Sequence, residues 1–171
     1  MTLRPFHGPK DQTLCTPPEL YRGLCHFFQI DPDLDVAAST DNSLCERFFS
    51  ERDDGLTRSW NCRAFWCNPP FKLAERFVEK ARTEYRRAPL AGMMLLPSRT
   101  DTRWFASALR DPTISLLFLT GRVRYLRGGE PLKAPFEGSV VLAWGKADRA
   151  VTSRSVQQIT DLGKLAVACE D

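Results

Sequence analysis

The chain has 171 residues, a formal net charge of +3, and 43% hydrophobic against 26% charged residues. That balance excludes wholesale disorder, collagen and coiled coil, and it leaves one globular domain large enough to bury a core without staples. No apolar run reaches bilayer length and no apolar segment follows Arg4 near the start, so neither a membrane span nor a secretory leader is expected.

Residues 1–13 are polar and aperiodic and read as an extended arm, extending to residue 15 before the domain begins. Thr16-Pro17-Pro18-Glu19 is a helix start: Thr16 can cap, proline fits the first turn, and Glu19 meets the positive end of the dipole. Leu20, Leu24, Phe27 and Phe28 continue at helical spacing. Residues 29–38 predict a short strand running into a loop of small residues, and Asp53-Asp54-Gly55 a turn.

Ala64-Phe65-Trp66-Cys67 reads as a buried strand that stops at Asn68-Pro69-Pro70-Phe71. A helix over 72–86 follows, then a strand over 91–96 and a helix carrying Trp104, Phe105 and Leu109 with Asp101 as its cap. Residues 114–119 predict another strand, 121–125 alternate like a half-exposed strand, and 139–144 predict the last one. Residues 126–138 read as a flexible insertion and 150–171 as a loosely docked helical tail behind a domain spanning 16–149. Alternating strands and helices of these lengths predict an α/β fold, a mostly parallel sheet with helices on both faces and an antiparallel edge near the C-terminus. Ligands of such sheets bind beyond the carboxyl ends of the strands, where both Asp35–Ala38 and Asn68–Phe71 are expected.

The six cysteines (15, 25, 45, 62, 67 and 169) lack zinc-knuckle spacing and there are only two histidines, so the thiols read as reduced packing residues and no metal is expected. The charge of the chain permits a nucleic-acid partner without requiring one.

Asn68-Pro69-Pro70-Phe71 is the segment with chemical content. Two prolines fix φ near −65° and remove two backbone donors, leaving nearby carbonyls without a competing N–H. Asn68 adds a side-chain acceptor, and Phe71 adds a flat apolar face. Such a loop can accept both N–H groups of a planar amine while stacking on its ring. Drawing both protons out of plane localises a lone pair that is otherwise delocalised, which is what methylation of an exocyclic amine requires, and the rest is positioning. Asn68 is a neutral amide and serves as acceptor, not as base. A rigid strand-to-helix turn capped by Asn68 is the alternative reading of the tripeptide.

These residues resemble the S-adenosylmethionine-dependent amino-methyltransferases, whose motif reads Asp/Asn/Ser-Pro-Pro-aromatic. More narrowly, the chain is similar to the phage-type DNA N-6-adenine-methyltransferase family (Dam-type). The similarity rests on Thr16-Pro17, Asp35-Val36-Ala37-Ala38, Asp54-Gly55-Leu56, Trp60, Asn68–Phe71, the segment 96–102 with Trp104-Phe105, and Gly121-Arg122-Val123. It implies a Rossmann-like methyltransferase domain that methylates the N6 amine of a flipped-out adenine, with Asn68, Pro69, Pro70 and Phe71 forming the catalytic loop. It also implies an S-adenosylmethionine site at Thr16, Pro17, Asp35, Ala37, Ala38, Asp54 and Asn68, although the sequence has no Gly-x-Gly, and a cytoplasmic setting in a bacterial or phage-infected host. Arg99, Arg103, Arg122, Arg124 and Arg127 are the expected DNA contacts, with a solvated basic face as their alternative, and turn acids are the alternative for Asp35 and Asp54. The same motif serves amino-methyltransferases acting on RNA or on protein glutamine, and the fold also admits a non-catalytic DNA-binding relative.

Overall fold

The computed structural model describes residues 14–133, 137–145 and 151–168, without the side chains of Val151 and of residues 165–168. The arm 1–13, Cys169 and parts of the expected insertion and tail lie outside the described residues.

Helix α1 (Pro18–Phe28) takes proline in its first turn, buries Leu20, Leu24 and Phe28, and ends at Gln29 in the left-handed region. Two short strands follow, β1 (Leu34–Asp35) and β2 (Arg47–Phe48), the second unforeseen because two residues are too few to show a period. Strand β3 (Ala64–Cys67) leads through a 3-10 turn (Phe71–Leu73) into α2 (Ala74–Arg87). Then come β4 (Ala91–Pro97), α3 (Arg103–Arg110), β5 (Ile114–Thr120), the hairpin β6 (Leu126–Arg127) and β7 (Glu130–Pro131), β8 (Ser139–Trp144), β9 (Val151–Ser155) and α4 (Val156–Ala168).

Seven strands form one sheet in the order β2-β1-β3-β4-β8-β5-β9, and β6-β7 stand apart as a two-stranded ribbon. Every pairing in the large sheet is parallel except those of β8 with β4 and with β5. The antiparallel strand expected near the C-terminus is therefore β8, and it lies inside the sheet, with β5 and β9 outside it.

Strand residues alternate between two cores, as the period of two demands. Phe65, Met94, Leu96, Leu116 and Leu142 meet Phe77, Val78 and Ala81 of α2 and Trp104, Phe105 and Ala108 of α3. Trp66, Met93, Leu95, Leu117 and Val141 meet Leu20 and Leu24 of α1 and Ile159 of α4. Burial of both faces explains why these strands read as unbroken apolar runs.

Three expectations give way. Asp101 does not cap α3: the N-cap is Thr102, and no side chain caps that end. Residues 121–125 do not form a strand, yet Val123 and Tyr125 are buried while Arg122 and Arg124 are exposed; the alternation is real, but the segment joins neither sheet, and the Tyr125 carbonyl accepts the Leu132 N–H at 2.9 Å. Residues 151–168 are a sheet strand plus a helix packed in backbone contact with α1, not a loosely docked helix. A Cβ on Gly23 would lie 1.7 Å from the Ile159 carbonyl oxygen, and one on Gly163 would lie 2.0 Å from that of Glu19. Only glycine admits so close a crossing.

Candidate active site

The chain steps outward from β1 to β2 and then returns across β1 to β3, so strand order reverses between β1 and β3. A reversal of this kind opens a crevice at the carboxyl ends of the strands. Asp35 pairs in register with Trp66, and the Val36 N–H donates to the Trp66 carbonyl at 3.0 Å. Asp35–Ala38 and Asn68–Phe71 thus leave the sheet side by side.

Asp35 is only 3% exposed. Its carboxyl accepts the N–H groups of Ala37 at 3.2 Å and Leu44 at 3.3 Å. Burial outweighs both bonds and pushes its pKa up to about 7. Ala37 and Ala38 are half-buried beside it. The Asp54-Gly55 turn is pressed onto the same tip: a Cβ on Gly55 would fall 2.1 Å from the Val36 carbonyl oxygen, and the indole N–H of Trp60 donates to the Gly55 carbonyl at 2.7 Å. Asp54 is exposed, holds a positive φ of 54°, and accepts the Leu56 N–H at 3.1 Å.

The Asn68 side-chain NH₂ donates to the Leu14 carbonyl at 2.8 Å. A carbonyl only accepts, so this bond fixes which end of the amide is which. Oδ1 is buried with no hydrogen-bond partner among the described residues. Pro69 is buried and the ring of Phe71 half-buried. The Phe71 ring meets Tyr125 edge-on, with centroids 5.9 Å apart. Tyr125 is 4% exposed, its hydroxyl lies 3.4 Å from Ser139 Oγ, and burial pushes its pKa up to about 12, so it stays a neutral phenol.

Thr16 does not cap α1. The N-cap is Pro17, and the Thr16 hydroxyl is buried without a partner among the described residues. The adjoining Cys15 exchanges two backbone hydrogen bonds with Leu126, at 2.9 and 2.8 Å. Segment 14–17 therefore bridges the Asn68 loop and the β6-β7 ribbon.

The expected basic residues separate into different settings. Arg99 spends both Nε and Nη2 on the Glu137 carboxylate, at 2.9 and 2.8 Å. Arg103 is exposed at the start of α3. Arg122 and Arg124 are exposed beyond β5, where, with Pro17, Thr120, Ser155 and Gln157, they line a cavity of about 600 Å³. Asn68 and Asp35 are not among its lining residues. Arg127 is half-buried, and its Nε and Nη2 are withdrawn from solvent.

Two parts of this rim escaped the sequence reading. The backbone carbonyl of Leu14, which orients Asn68, leaves no signature in a side-chain pattern. Tyr125 falls in the alternating segment 121–125, and that pattern marks its inward face but not its neighbour Phe71. Cys25, Cys45, Cys62 and Cys67 form no disulfide among the described residues, and burial pushes the Cys67 thiol pKa up.

The doubly wound sheet and the proline-stiffened asparagine loop at its reversal point define an α/β domain of the Rossmann-like methyltransferase type. The family described as DNA N-6-adenine-methyltransferase (Dam) matches residues 7–165, and the chain belongs to it. Over 80 residues it is 39% identical to a protein of Escherichia phage T1 named DNA N-6-adenine-methyltransferase, a stretch covering 46% of this chain and 33% of that protein. Over 100 residues it is 27% identical to a protein of the same name from Haemophilus phage HP1, covering 58% of each. The chain thus spans only part of the length of these relatives. Among the described residues, no helix is long and apolar enough to cross a membrane.

Proposed function

We propose that the chain transfers a methyl group from S-adenosylmethionine to the N6 amine of an adenine in DNA, extruded from its stack into the Asn68–Phe71 loop. One observation carries this reading: Leu14 pins the Asn68 amide so that Oδ1 is left buried, bare and correctly oriented as an acceptor. A buried acceptor without a donor is costly, and an incoming N–H removes that cost. The names of the phage relatives support adenine in DNA over RNA or protein amides.

The residues at the reversal point fit the methyl donor. Thr16 presents a buried, unpartnered hydroxyl. Asp35 presents a buried carboxyl that pairs with no basic side chain among the described residues, so it suits the donor's ammonium. Ala37, Ala38 and Pro17 are short or compact enough to admit close approach of a ligand, and exposed Asp54 lies within the same turn cluster to meet a ribose hydroxyl. When bound, the donor supplies an electrophilic methyl on a sulfonium.

Asn68 Oδ1 accepts one amine N–H and a backbone carbonyl of Asn68-Pro69 the other, while Pro69 and Pro70 hold the loop rigid. Phe71 stacks on the base, and Tyr125 steadies its ring. With no base at Asn68, the amine proton leaves to solvent after methyl transfer, once the nitrogen is cationic. Reaching a base in a duplex requires flipping it out. In this reading the exposed Arg103, Arg122 and Arg124 meet backbone phosphates, and Arg99 pairs with Glu137.

The test uses S-adenosylmethionine with a tritiated methyl group, offered with unmethylated duplex DNA, RNA or protein. The expected result is label in DNA, recovered as N6-methyladenine after digestion, and none with Asn68→Ala although that variant still binds S-adenosylhomocysteine. Label only in RNA or protein, or full transfer by Asn68→Ala, refutes the reading.

A further inference from the structure

Arg127 does not sit where a phosphate-seeking surface arginine would. It ends β6 half-buried, and its Nε and Nη2 are sealed from solvent with no hydrogen-bond partner among the described residues. Those two donors make up one edge of the guanidinium. Arg99 uses the same edge to grip both oxygens of Glu137. The Arg127 edge is the same fork, buried and bare. Such a group is strongly destabilising alone, and a planar two-oxygen anion is the partner its geometry matches.

Its position narrows the choice of anion. The Cys15–Leu126 pair is antiparallel, which sets Leu14 opposite Arg127 and Thr16 opposite Tyr125. Leu14 is the residue that holds Asn68. Arg124 and Leu126 line the cavity beyond β5, whereas Tyr125 meets Phe71. Alternation then puts Arg127 on the same side as Tyr125, the residue whose ring meets Phe71. Three buried polar groups without partners among the described residues, Thr16 Oγ1, Asn68 Oδ1 and the Arg127 fork, attach to this one pairing: Thr16 follows Cys15, Arg127 follows Leu126, and Asn68 is bonded to Leu14.

We propose that the Nε–Nη2 edge of Arg127 holds the α-carboxylate at the amino-acid end of the methyl donor, so that Arg127 is a donor-binding residue and not a DNA contact. This rests on the function proposed above. A phosphate of the DNA backbone shares the two-oxygen chemistry, but it remains at the surface of a duplex, whereas the two donors of this fork are withdrawn from solvent. The carboxylate of a small ligand reaches it; Thr16 and Asp35 then serve the remaining polar atoms of the same end.

Calorimetric titration of the full chain tests this with two ligands, S-adenosylhomocysteine and 5′-methylthioadenosine, which keeps the nucleoside and thioether but lacks the amino-acid end. Arg127→Gln is expected to weaken S-adenosylhomocysteine binding at least tenfold and to leave 5′-methylthioadenosine binding unchanged. Arg127→Lys keeps the charge without the fork and recovers part of the loss; it carries the comparison if Arg127→Gln melts too low to fold. Equal losses for the two ligands, or unchanged S-adenosylhomocysteine binding with weaker binding to a short duplex by fluorescence anisotropy, overturn the proposal. If the parent chain binds no S-adenosylhomocysteine, the methyltransferase reading falls and this one with it; if the parent binds and the variants bind equally well, only the assignment of Arg127 falls.

Discussion

Asp35 offers the sharpest quantitative test, because one buried carboxyl bears on stability and, in the proposed donor site, on affinity. Its pKa is near 7 in the folded chain, from an ordinary value of 3.8. Between those two values the unfolded chain has released its proton and the folded chain has kept it, so stability contributed by this group is complete below pH 3.8 and is lost as pH rises through 7. The slope is about −1.4 kcal/mol per pH unit, or roughly 3 kcal/mol between pH 4.5 and pH 7.

Other carboxylates titrate in the opposite sense. Ser50 and the Arg99 pairing hold Asp53 and Glu137 below their usual range. The quantity to measure is therefore the difference between the parent and Asp35→Asn, which keeps the shape and cannot ionise. Urea midpoints taken across pH 4.5–7.5 should show the parent losing ground to the variant as pH rises. The same proton governs ligand binding if the ionised carboxyl meets an ammonium. Affinity of the parent for S-adenosylhomocysteine should then fall roughly 25-fold from pH 7.5 to pH 5.5, and that of Asp35→Asn should stay flat. A stability difference that ignores pH would refute the assigned burial; a flat affinity profile in the parent would refute the ammonium contact.

Phe71→Ala should cost about 1–3 kcal/mol of stacking on an extruded base, read as weaker binding to duplexes with a mismatched target adenine; equal affinities would remove Phe71 from the base site. Joint replacement of Arg122 and Arg124 by Gln should lower the salt slope of DNA binding by about 2, and an unchanged slope would leave both as solvated surface. Gly23→Ala should force α1 and α4 apart and destabilise the chain by about 1–3 kcal/mol or more, measured as a shift of the urea midpoint; no shift would contradict the backbone contact at that crossing.

The buried strands and helix faces were legible because burial on both sides writes apolar runs and 3.6-residue stripes directly into the chain. Ala64–Cys67 and the Phe77, Val78, Ala81 stripe show this. The candidate loop was legible for a different reason, since two adjacent prolines restrict backbone geometry wherever they occur. What stayed hidden depends on contacts between distant backbones. Strand β2 is two residues long and makes sense only beside β1, and the role of Leu14 belongs to its carbonyl. Arg127 shows the limit most clearly: composition sees one more positive charge among arginines, and only the fold separates an enclosed fork from an exposed cation. Thr16 likewise fits a helix cap by residue type, yet α1 starts after Pro17 and leaves the hydroxyl without a partner among the described residues.

The crossing at Gly23 and Gly163 couples the two extremities of the described chain. Helix α1 begins beside Thr16 and Pro17, the residues proposed for the donor site, and α4, which follows the edge strand β9, is what braces it. Breathing of that outer layer should therefore travel inward as a loosening of the donor lip, with amide exchange along α4 and around residues 14–17 rising and falling as a single cooperative unit. Tightening one glycine contact far from any reacting atom then becomes a way to tune how long a bound ligand stays.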